Sequence, residues 1–523
     1  MEPLVLMGDE ALAQGALDAG IAGAFGYPGT PSTEIFEYVQ AYRDRPVYAR
    51  WSANEKTALE EALGMSFAGA RALVSMKHVG LNVAADPFMN AAITGANGGL
   101  LIAVADDPGM HSSQNEQDSR YYAAFGHVPC LEPATQQEAY EMGYAGLDLS
   151  ERLGLPVMVR LVTRLAHSRA PVVPKPAVVP PRRPVVSDPT RYTLLPVNAR
   201  RHWAALAARW PLVAAAMAEL PWNELRLAGR RLGVVASGIA HNYVMENLEG
   251  EEDLPSVLKV GAWPAPRDLL SRLFDHVDEV LVVEDGYPFL EEALLGALGH
   301  TPKPVHGRLD GRLPRTGELH PTNVRAALGL PVRPTLTAPL SDLSGRPPAL
   351  CPGCPHADTY LALNAAMATH PEGRVFSDIG CYTLGALPPF RAIHTCVDMG
   401  ASVSMALGAA QAGVHPSVAV IGDSTFGHSG MTPLLDAVRA DAPMLVIILD
   451  NATVAMTGQQ ETACSGERLL SILRGLGVDP AHLRVVNPLR KHHEENVRIL
   501  CEEIAHPGLS VVVPTRACIQ IRK

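Results

Sequence analysis

Short apolar runs without polar alternation constrain this chain most. Ala72-Leu-Val-Ser-Met76 and Gly99-Leu-Leu-Ile-Ala-Val104 are continuous. A strand with one wet face alternates apolar and polar side chains, whereas a strand covered on both faces does not; parallel sheets between helical layers are built from the second kind. Strands are also expected at Ala22–Tyr27, Pro156–Val162, Arg231–Ala236, Glu279–Val283, Ser417–Ile421 and Met444–Leu449, with helices at Glu10–Ala19 and Asn54–Ala70. The expected fold class is therefore α/β, in doubly wound units.

The length, 523 residues, exceeds what one core can hold, and 47 % apolar residues suffice for several. Seven prolines fall between Pro171 and Pro189, a composition that favours extended linker structure. The chain is expected to divide into a first domain at 1–170, a proline-rich linker at 171–195, a middle α/β domain at 196–330, a second linker at 331–348 and a third domain at 349–523. The balance of 43 basic against 54 acidic side chains gives −11, which argues against a nucleic-acid binder because nothing offsets phosphate repulsion. No apolar run approaches the roughly 18 residues of a membrane span, the first ten residues lack the basic start of a secretory signal, and eight cysteines are too few for a disulfide scaffold. A cytoplasmic protein is expected.

The chemistry concentrates at two strand ends. Ile421-Gly-Asp-Ser-Thr-Phe426 closes one apolar run and Leu449-Asp-Asn-Ala-Thr-Val454 the next, with Asn451 lying 28 residues after Asp423. Parallel strands bring both ends to the edge where open α/β sheets bind ligands. Gly422 would let backbone approach a phosphate, and Asp423 and Asn451 offer hard oxygen ligands for Mg²⁺; the plain alternative is two ordinary strand-end turns. The pair resembles the thiamine-diphosphate motif. That resemblance implies Mg²⁺ held by Asp423, the Asn451 side chain and the Thr453 carbonyl. It also implies a glutamate from another α/β domain that hydrogen-bonds the cofactor's aminopyrimidine, for which Glu55 in Trp51-Ser-Ala-Asn-Glu-Lys56 is the candidate. The alternative for Glu55 is a solvated helix glutamate like Glu60 and Glu61.

Cys351-Pro-Gly-Cys354, Cys381 and Cys518 form a possible Cys₄ set. Spacing fits a [4Fe–4S] cluster, or structural zinc on Cys351, Cys354, His356 and Cys381, or plain buried thiols.

These stretches resemble the 2-oxoacid:ferredoxin oxidoreductase superfamily, and within it the alpha subunit of indolepyruvate ferredoxin oxidoreductase. The similarity is carried by Tyr27-Pro-Gly-Thr-Pro-Ser-Thr-Glu34, Met76-Lys-His-Val-Gly-Leu-Asn82, Ala105 to Asp118, Cys351 to His356, Asp378 to Gly385 and Gly422 to Gly458. The resemblance implies a pyrimidine-binding first domain, a middle domain like the transketolase C-terminal domain, and a diphosphate-binding third domain. It assigns Cys351, Cys354, Cys381 and Cys518 to one [4Fe–4S] cluster. It surrounds thiamine diphosphate with Tyr27, Glu55, Gly380, Tyr382, Met399, Gly400, Ser402, Gly422, Asp423, Ser424, Asn451, Thr453, Met456 and Thr457. The implied reaction is oxidative decarboxylation of a 2-oxoacid to its acyl-CoA, with coenzyme A as co-substrate and electrons passing through the cluster to an external acceptor such as ferredoxin. A smaller beta subunit is implied as partner, in an alpha–beta hetero-oligomer with paired alpha chains. Family alpha subunits continue into a ferredoxin-like domain with eight cysteines; no such run stands before Lys523, so electrons are expected to leave directly or through a partner.

For the substrate, Thr30 either bonds the 2-oxoacid or caps the following helix. His111 and Arg120 are candidate cations for its carboxylate, and Arg120 is otherwise a surface helix residue. His428 is either a proton donor or a loop histidine. Pyruvate-specific relatives carry an arginine about where Asp106 or Asp107 stands, so the resemblance implies an arylpyruvate such as indolepyruvate. The alternatives are a non-oxidative thiamine-dependent decarboxylase or carboligase, and a catalytically idle subunit.

Overall fold

The computed structural model describes residues 2–188, 190–296, 303–331 and 348–521. It forms two compact units, 1–338 and 339–523. The expected linker at 331–348 lies outside the described residues except for its two end positions.

The first unit holds a seven-stranded sheet in the order Ala262–Trp263, Cys130–Leu131, Val157–Val162, Leu100–Asp106, Ala72–Lys77, Gly23–Gly26, Tyr48–Trp51. Every pairing is parallel except the first. All residues of Ala72–Lys77, Leu100–Asp106 and Val157–Val162 are buried, as their unbroken apolarity requires. Helix Gly8–Asp18 packs on helix Gln136–Leu153. Glycines set that approach: a Cβ on Gly15 would lie 2.0 Å from Tyr140 O, and one on Gly143 would lie 2.4 Å from Leu12 O.

A five-stranded sheet in the same unit runs Val305–His306, Glu279–Val283, Gly229–Ser237, Pro255–Val260, Glu224–Arg226. The strand at 262–263 leaves this part of the chain to extend the seven-stranded sheet, so the first and middle sequence blocks share one compact unit. The proline-rich segment between them is a strap fastened to the first block. Val178 N–H donates to Asp18 O at 2.7 Å, and Arg183 N–H to Gly69 O at 2.9 Å. It runs into helix Pro196–Ala218, an element absent from the sequence expectations.

The second unit is one six-stranded, wholly parallel sheet: Thr395–Cys396, Arg374–Ser377, Ser417–Gly422, Met444–Leu449, Ser510–Pro514, Leu483–Val486. Successive side chains feed different cores. Val418, Val420, Leu445 and Ile447 pack on one face; Ala419, Ile421, Val446 and Ile448 pack on the other.

Each unit has a point where strand order reverses. In the first, the chain goes from Gly23–Gly26 outward to Tyr48–Trp51, then to Ala72–Lys77 on the opposite side. In the second it goes from Arg374–Ser377 to Thr395–Cys396, then to Ser417–Gly422. The loops leaving such strands part and open a crevice. Among the described residues, no helix is long and apolar enough to cross a membrane.

Candidate active site

At the reversal point of the second unit, the two strand ends singled out in the sequence lock together. Asp423 is buried; its Oδ1 accepts from Ser424 N–H at 2.7 Å and its Oδ2 from Ala452 N–H at 2.9 Å. Burial pushes Asp423 up to about 8, with Asp450 adding to the rise against the backbone amides. A dication is the partner such a carboxylate lacks. Asn451 is oriented by two neighbours: its Nδ2 meets His356 Nε2 at 3.4 Å, and its Oδ1 accepts from Thr453 N–H at 3.3 Å. Burial lowers His356 to about 4, so its ring is neutral and accepts the amide proton. Thr453 is buried, and its hydroxyl donates to Gln460 O at 3.0 Å. This oxygen-rich corner fits Mg²⁺ on a diphosphate, with Asp423, Asn451 and Thr453 as the residues that could hold it.

Asp378, to which the sequence assigns no role, organises the facing turn. It is fully buried and accepts from Tyr382 OH, from Ser402 Oγ at 2.6 Å and from Ser402 N–H at 3.3 Å. Burial pushes it up to about 7, while the hydrogen bonds from Ser402 and Tyr382 work against the rise. The Tyr382 ring lies against two glycines: a Cβ on Gly380 would sit 2.2 Å from its Cε1, and one on Gly422 would sit 2.6 Å away. Gly422 was expected to admit a phosphate; its open side instead receives the Tyr382 ring. Gly400, at φ +90°, packs against Ser429, where a Cβ would lie 2.6 Å from the Ser429 Cβ. His428 is buried in a single π turn, Phe426–Gly430, with Nδ1 2.5 Å from Ser429 Oγ. Ser424 and Met399 are half-buried, while Thr457 bonds Gln460 Oε1 at 2.6 Å and Met456 is exposed.

The cysteines come from three loops at the same sheet edge. Cys354 N–H donates to Cys351 O at 3.0 Å, Cys381 opens the turn after strand Arg374–Ser377, and Cys518 N–H donates to Asn451 O at 3.0 Å. Burial pushes the Cys381 thiol up to about 12, and Cys354, Cys518 and Cys351 are near enough to add to the rise. Yet no three of these sulfurs lie within 4.8 Å of one another. A single zinc ion would bring them to about 3.8 Å, given Zn–S bonds of about 2.3 Å; a cubane core spreads them wider. His356, the nitrogen ligand of the zinc alternative, faces Asn451 instead.

In the first unit, Glu55 is the first residue of helix Glu55–Phe67, capped by Asn54, whose side chain accepts from Thr57 N–H at 2.9 Å. It is buried, unlike Glu60, which is exposed. Gly80 makes its room: a Cβ there would meet Glu55 Oε1 at 2.5 Å. Tyr27 is buried at the end of strand Gly23–Gly26. Thr30 is half-buried and is not the helix cap; the helix starts at Thr33, whose hydroxyl accepts from Gly29 N–H at 3.0 Å.

The two expected substrate cations each have carboxylate partners within the first unit. Arg120 is 2 % exposed, not a surface residue, and its guanidinium is engaged by Asp118, by Glu284 at 2.8 Å, by Glu132 at 3.5 Å, by Ser237 Oγ at 3.2 Å and by Tyr287 O at 3.1 Å. It belongs to a buried charge network with Arg160 and Arg308. His111 is half-exposed and sits 3.3 Å from Glu318.

Lys77, inside the matching stretch Met76–Asn82, puts a further cation at the strand-order reversal of the first unit. It ends strand Ala72–Lys77, packs on Gly29 and donates to Ser112 O at 2.8 Å. Burial pushes it down to about 8, while Asp107 pulls the other way. Asp107 binds Ser112 N–H at 2.8 Å, Ser113 Oγ at 2.6 Å and Thr163 Oγ1 at 2.8 Å. Burial works to raise Asp107, but those hydrogen bonds and Lys77 outweigh it and hold it below the usual carboxylate range.

Comparison with known proteins finds two thiamine-diphosphate families along the chain. Residues 14–193 match the family described as pyruvate flavodoxin/ferredoxin oxidoreductase, thiamine diP-bdg. Residues 378–511 match thiamine pyrophosphate enzyme, C-terminal TPP binding domain. The indolepyruvate oxidoreductase subunit IorA of Methanothermobacter thermautotrophicus is 38 % identical over 99 % of this chain and 87 % of its own length. That of Archaeoglobus fulgidus is 36 % identical over 99 % and 86 %. Among solved structures, the 2-oxoglutarate:ferredoxin oxidoreductase of Magnetococcus marinus aligns with 58 % of this chain and 62 % of its own at 17 % identity and a TM-score of 0.49. With both thiamine-diphosphate domains matched and the relatives aligned over nearly its whole length, the chain belongs to the indolepyruvate oxidoreductase subunit IorA family, within the thiamine-dependent 2-oxoacid:ferredoxin oxidoreductases.

Proposed function

We propose that this chain is the catalytic subunit for oxidative decarboxylation of an arylpyruvate, indolepyruvate foremost, to its acyl-CoA, with two electrons leaving through a [4Fe–4S] cluster on Cys351, Cys354, Cys381 and Cys518. The observation that carries the reading is the hydrogen bond from Cys518 N–H to Asn451 O. It ties the last cysteine of the quartet to Asn451, itself an expected Mg²⁺ ligand, so the electron acceptor would stand beside the reacting cofactor.

Thiamine diphosphate, when bound, supplies the nucleophile for the keto carbon and the sink for the electrons released with CO₂. The chain's own residues do the rest. Asp423, Asn451 and Thr453 would hold Mg²⁺, with His356 keeping Asn451 Oδ1 forward. Glu55, buried against Gly80, would hold a proton on the aminopyrimidine ring. Lys77 would meet the substrate carboxylate, and Asp107 fixes the Ser112–Ser113 turn beside it. Thr30, half-buried in the turn after Tyr27, would bond the same substrate, and His428 would face it as proton donor. The relatives are named as one subunit of an oxidoreductase, which points to a second subunit as partner, and ferredoxin is the expected acceptor.

The test is anaerobic dye reduction by the two-subunit complex with thiamine diphosphate, Mg²⁺ and coenzyme A, comparing indolepyruvate, phenylpyruvate and pyruvate. Dye reduction with the aryl acids and acyl-CoA formation are expected. CO₂ release without dye reduction would make the enzyme a non-oxidative decarboxylase, and a preference for pyruvate would overturn the substrate reading.

A further inference from the structure

Away from the residues discussed so far, Asp9, Glu34 and His167 each bring one ligand atom to within 4.8 Å of the others. Asp9 lies in the first turn of helix Gly8–Asp18, Glu34 in the first turn of helix Thr33–Ala41, and His167 closes the short helix Thr163–His167. Gly8 permits the approach: a Cβ there would lie 2.3 Å from Leu165 O and 3.2 Å from Ala166 Cα, so the first helix begins against the backbone of the short one.

Asp9 is fully buried, and neither of its carboxylate oxygens has a hydrogen-bond partner; Glu34 Oε2 faces His167 Nε2 at 3.5 Å. The other buried carboxylates of this unit are treated differently. Asp106, Asp118, Glu284 and Asp285 each meet an arginine. Among the described residues, no lysine or arginine pairs with Asp9. Burial, with Glu34 and Glu10 adding to it, holds the Asp9 carboxyl well above its usual range. A fully buried carboxylate with no cation of its own is costly beside a second one, and an ion that binds both removes the cost.

We propose that Asp9, Glu34 and His167 form a site for a borderline transition-metal dication of the zinc, cobalt or manganese class. One imidazole with two carboxylates suits these ions better than Mg²⁺ or Ca²⁺, which take oxygen ligands throughout. His167 Nε2 lies 3.5 Å from Glu34 Oε2, close to the edge of about 3.3–3.4 Å of a tetrahedron built on bonds of about 2.0–2.1 Å. Asp9 is the floor, while Glu34 and His167, with side chains 32 % and 34 % exposed, form a mouth through which an ion can enter and keep water in its remaining position. The ion would brace the helix that starts three residues after Thr30 against two neighbours. Its role is structural.

The test uses the protein purified anaerobically with thiamine diphosphate and Mg²⁺ present, titrated with Co²⁺ by equilibrium dialysis and visible spectroscopy. The expected result is one further cobalt per chain with weak ligand-field bands of nitrogen–oxygen coordination, and a rise in Tm on binding. In Asp9→Asn and His167→Gln, affinity falls at least tenfold and the Tm response disappears. His167→Gln, at a half-exposed position, carries the test if Asp9→Asn does not fold. Equal cobalt binding in the parent and both variants, or no binding in the parent, would overturn the proposal. So would an Asp9→Asn protein that is more stable than the parent with no metal response in either, because Asp9 would then be a protonated carboxyl rather than a ligand.

Discussion

Glu55 and Gly80 show how narrowly a buried carboxylate is seated. A methyl group on Gly80 would fall 2.5 Å from Glu55 Oε1 and 2.8 Å from its Cδ, so the carboxyl group must move. Gly80→Ala is expected to lower kcat at least tenfold while the protein stays folded, matching Glu55→Gln in direction; a steady-state assay with thermal unfolding checks both. Lys77 gives a pH signature. Its charged form predominates below about 8 and fades above it, so the affinity for a carboxylate substrate is expected to fall as pH rises through about 8. Lys77→Met should raise KM tenfold or more without changing thiamine diphosphate binding, and Lys77→Arg should restore part of it. A KM unaffected by the Met variant would remove Lys77 from the substrate's path. Asp423 and Asn451 were legible in the sequence because each closes an apolar run, and the ends of parallel strands gather at one edge. Lys77, Asp107, Asp378 and Gly80 carried no such mark. Their roles depend on which turns meet, and a turn's partner is fixed by strand order, which apolar periodicity does not encode.

Elements followed the same division. The apolar runs became strands at nearly the expected limits, because burial on both faces leaves few other solutions. Helix Pro196–Ala218 was missed. Its buried side chains Asn198, Leu206, Val213 and Met217 are diluted among alanines and arginines, and Pro211 stands inside it. The strap before it reads as a linker in composition, and only its bonds to Asp18 O and Gly69 O make it part of the first block. Close helix packing is an element-scale property with a sharp test. Gly15 faces Tyr140 O with no room for a Cβ, so Gly15→Val should destabilise the first unit by about 1–3 kcal/mol through overpacking, read as a lower midpoint in urea. An unchanged midpoint would mean that the two helices separate without cost.

At the scale of the molecule, the first unit is joined internally by buried charge. Arg160 reaches Asp106 at 2.6 Å and Glu132 at 2.5 Å from the block of the first sheet, and Asp285 O at 2.8 Å from that of the second. Arg160→Met leaves carboxylates buried without their partner and is expected to cost about 3–5 kcal/mol, measured by chemical denaturation. A small effect would show that protonation of Asp285, which burial already pushes up to about 6 against Arg308 and Arg160, absorbs the change. The second unit carries the central claim, that its cysteine quartet serves electron transfer beside thiamine diphosphate. The most direct measurement is iron, zinc and acid-labile sulfide on anaerobically purified protein, with the Cys518→Ser variant alongside. The account predicts about four irons and four sulfides per chain, falling in the variant together with dye reduction. One zinc without sulfide, or full iron content and activity in Cys518→Ser, would contradict it.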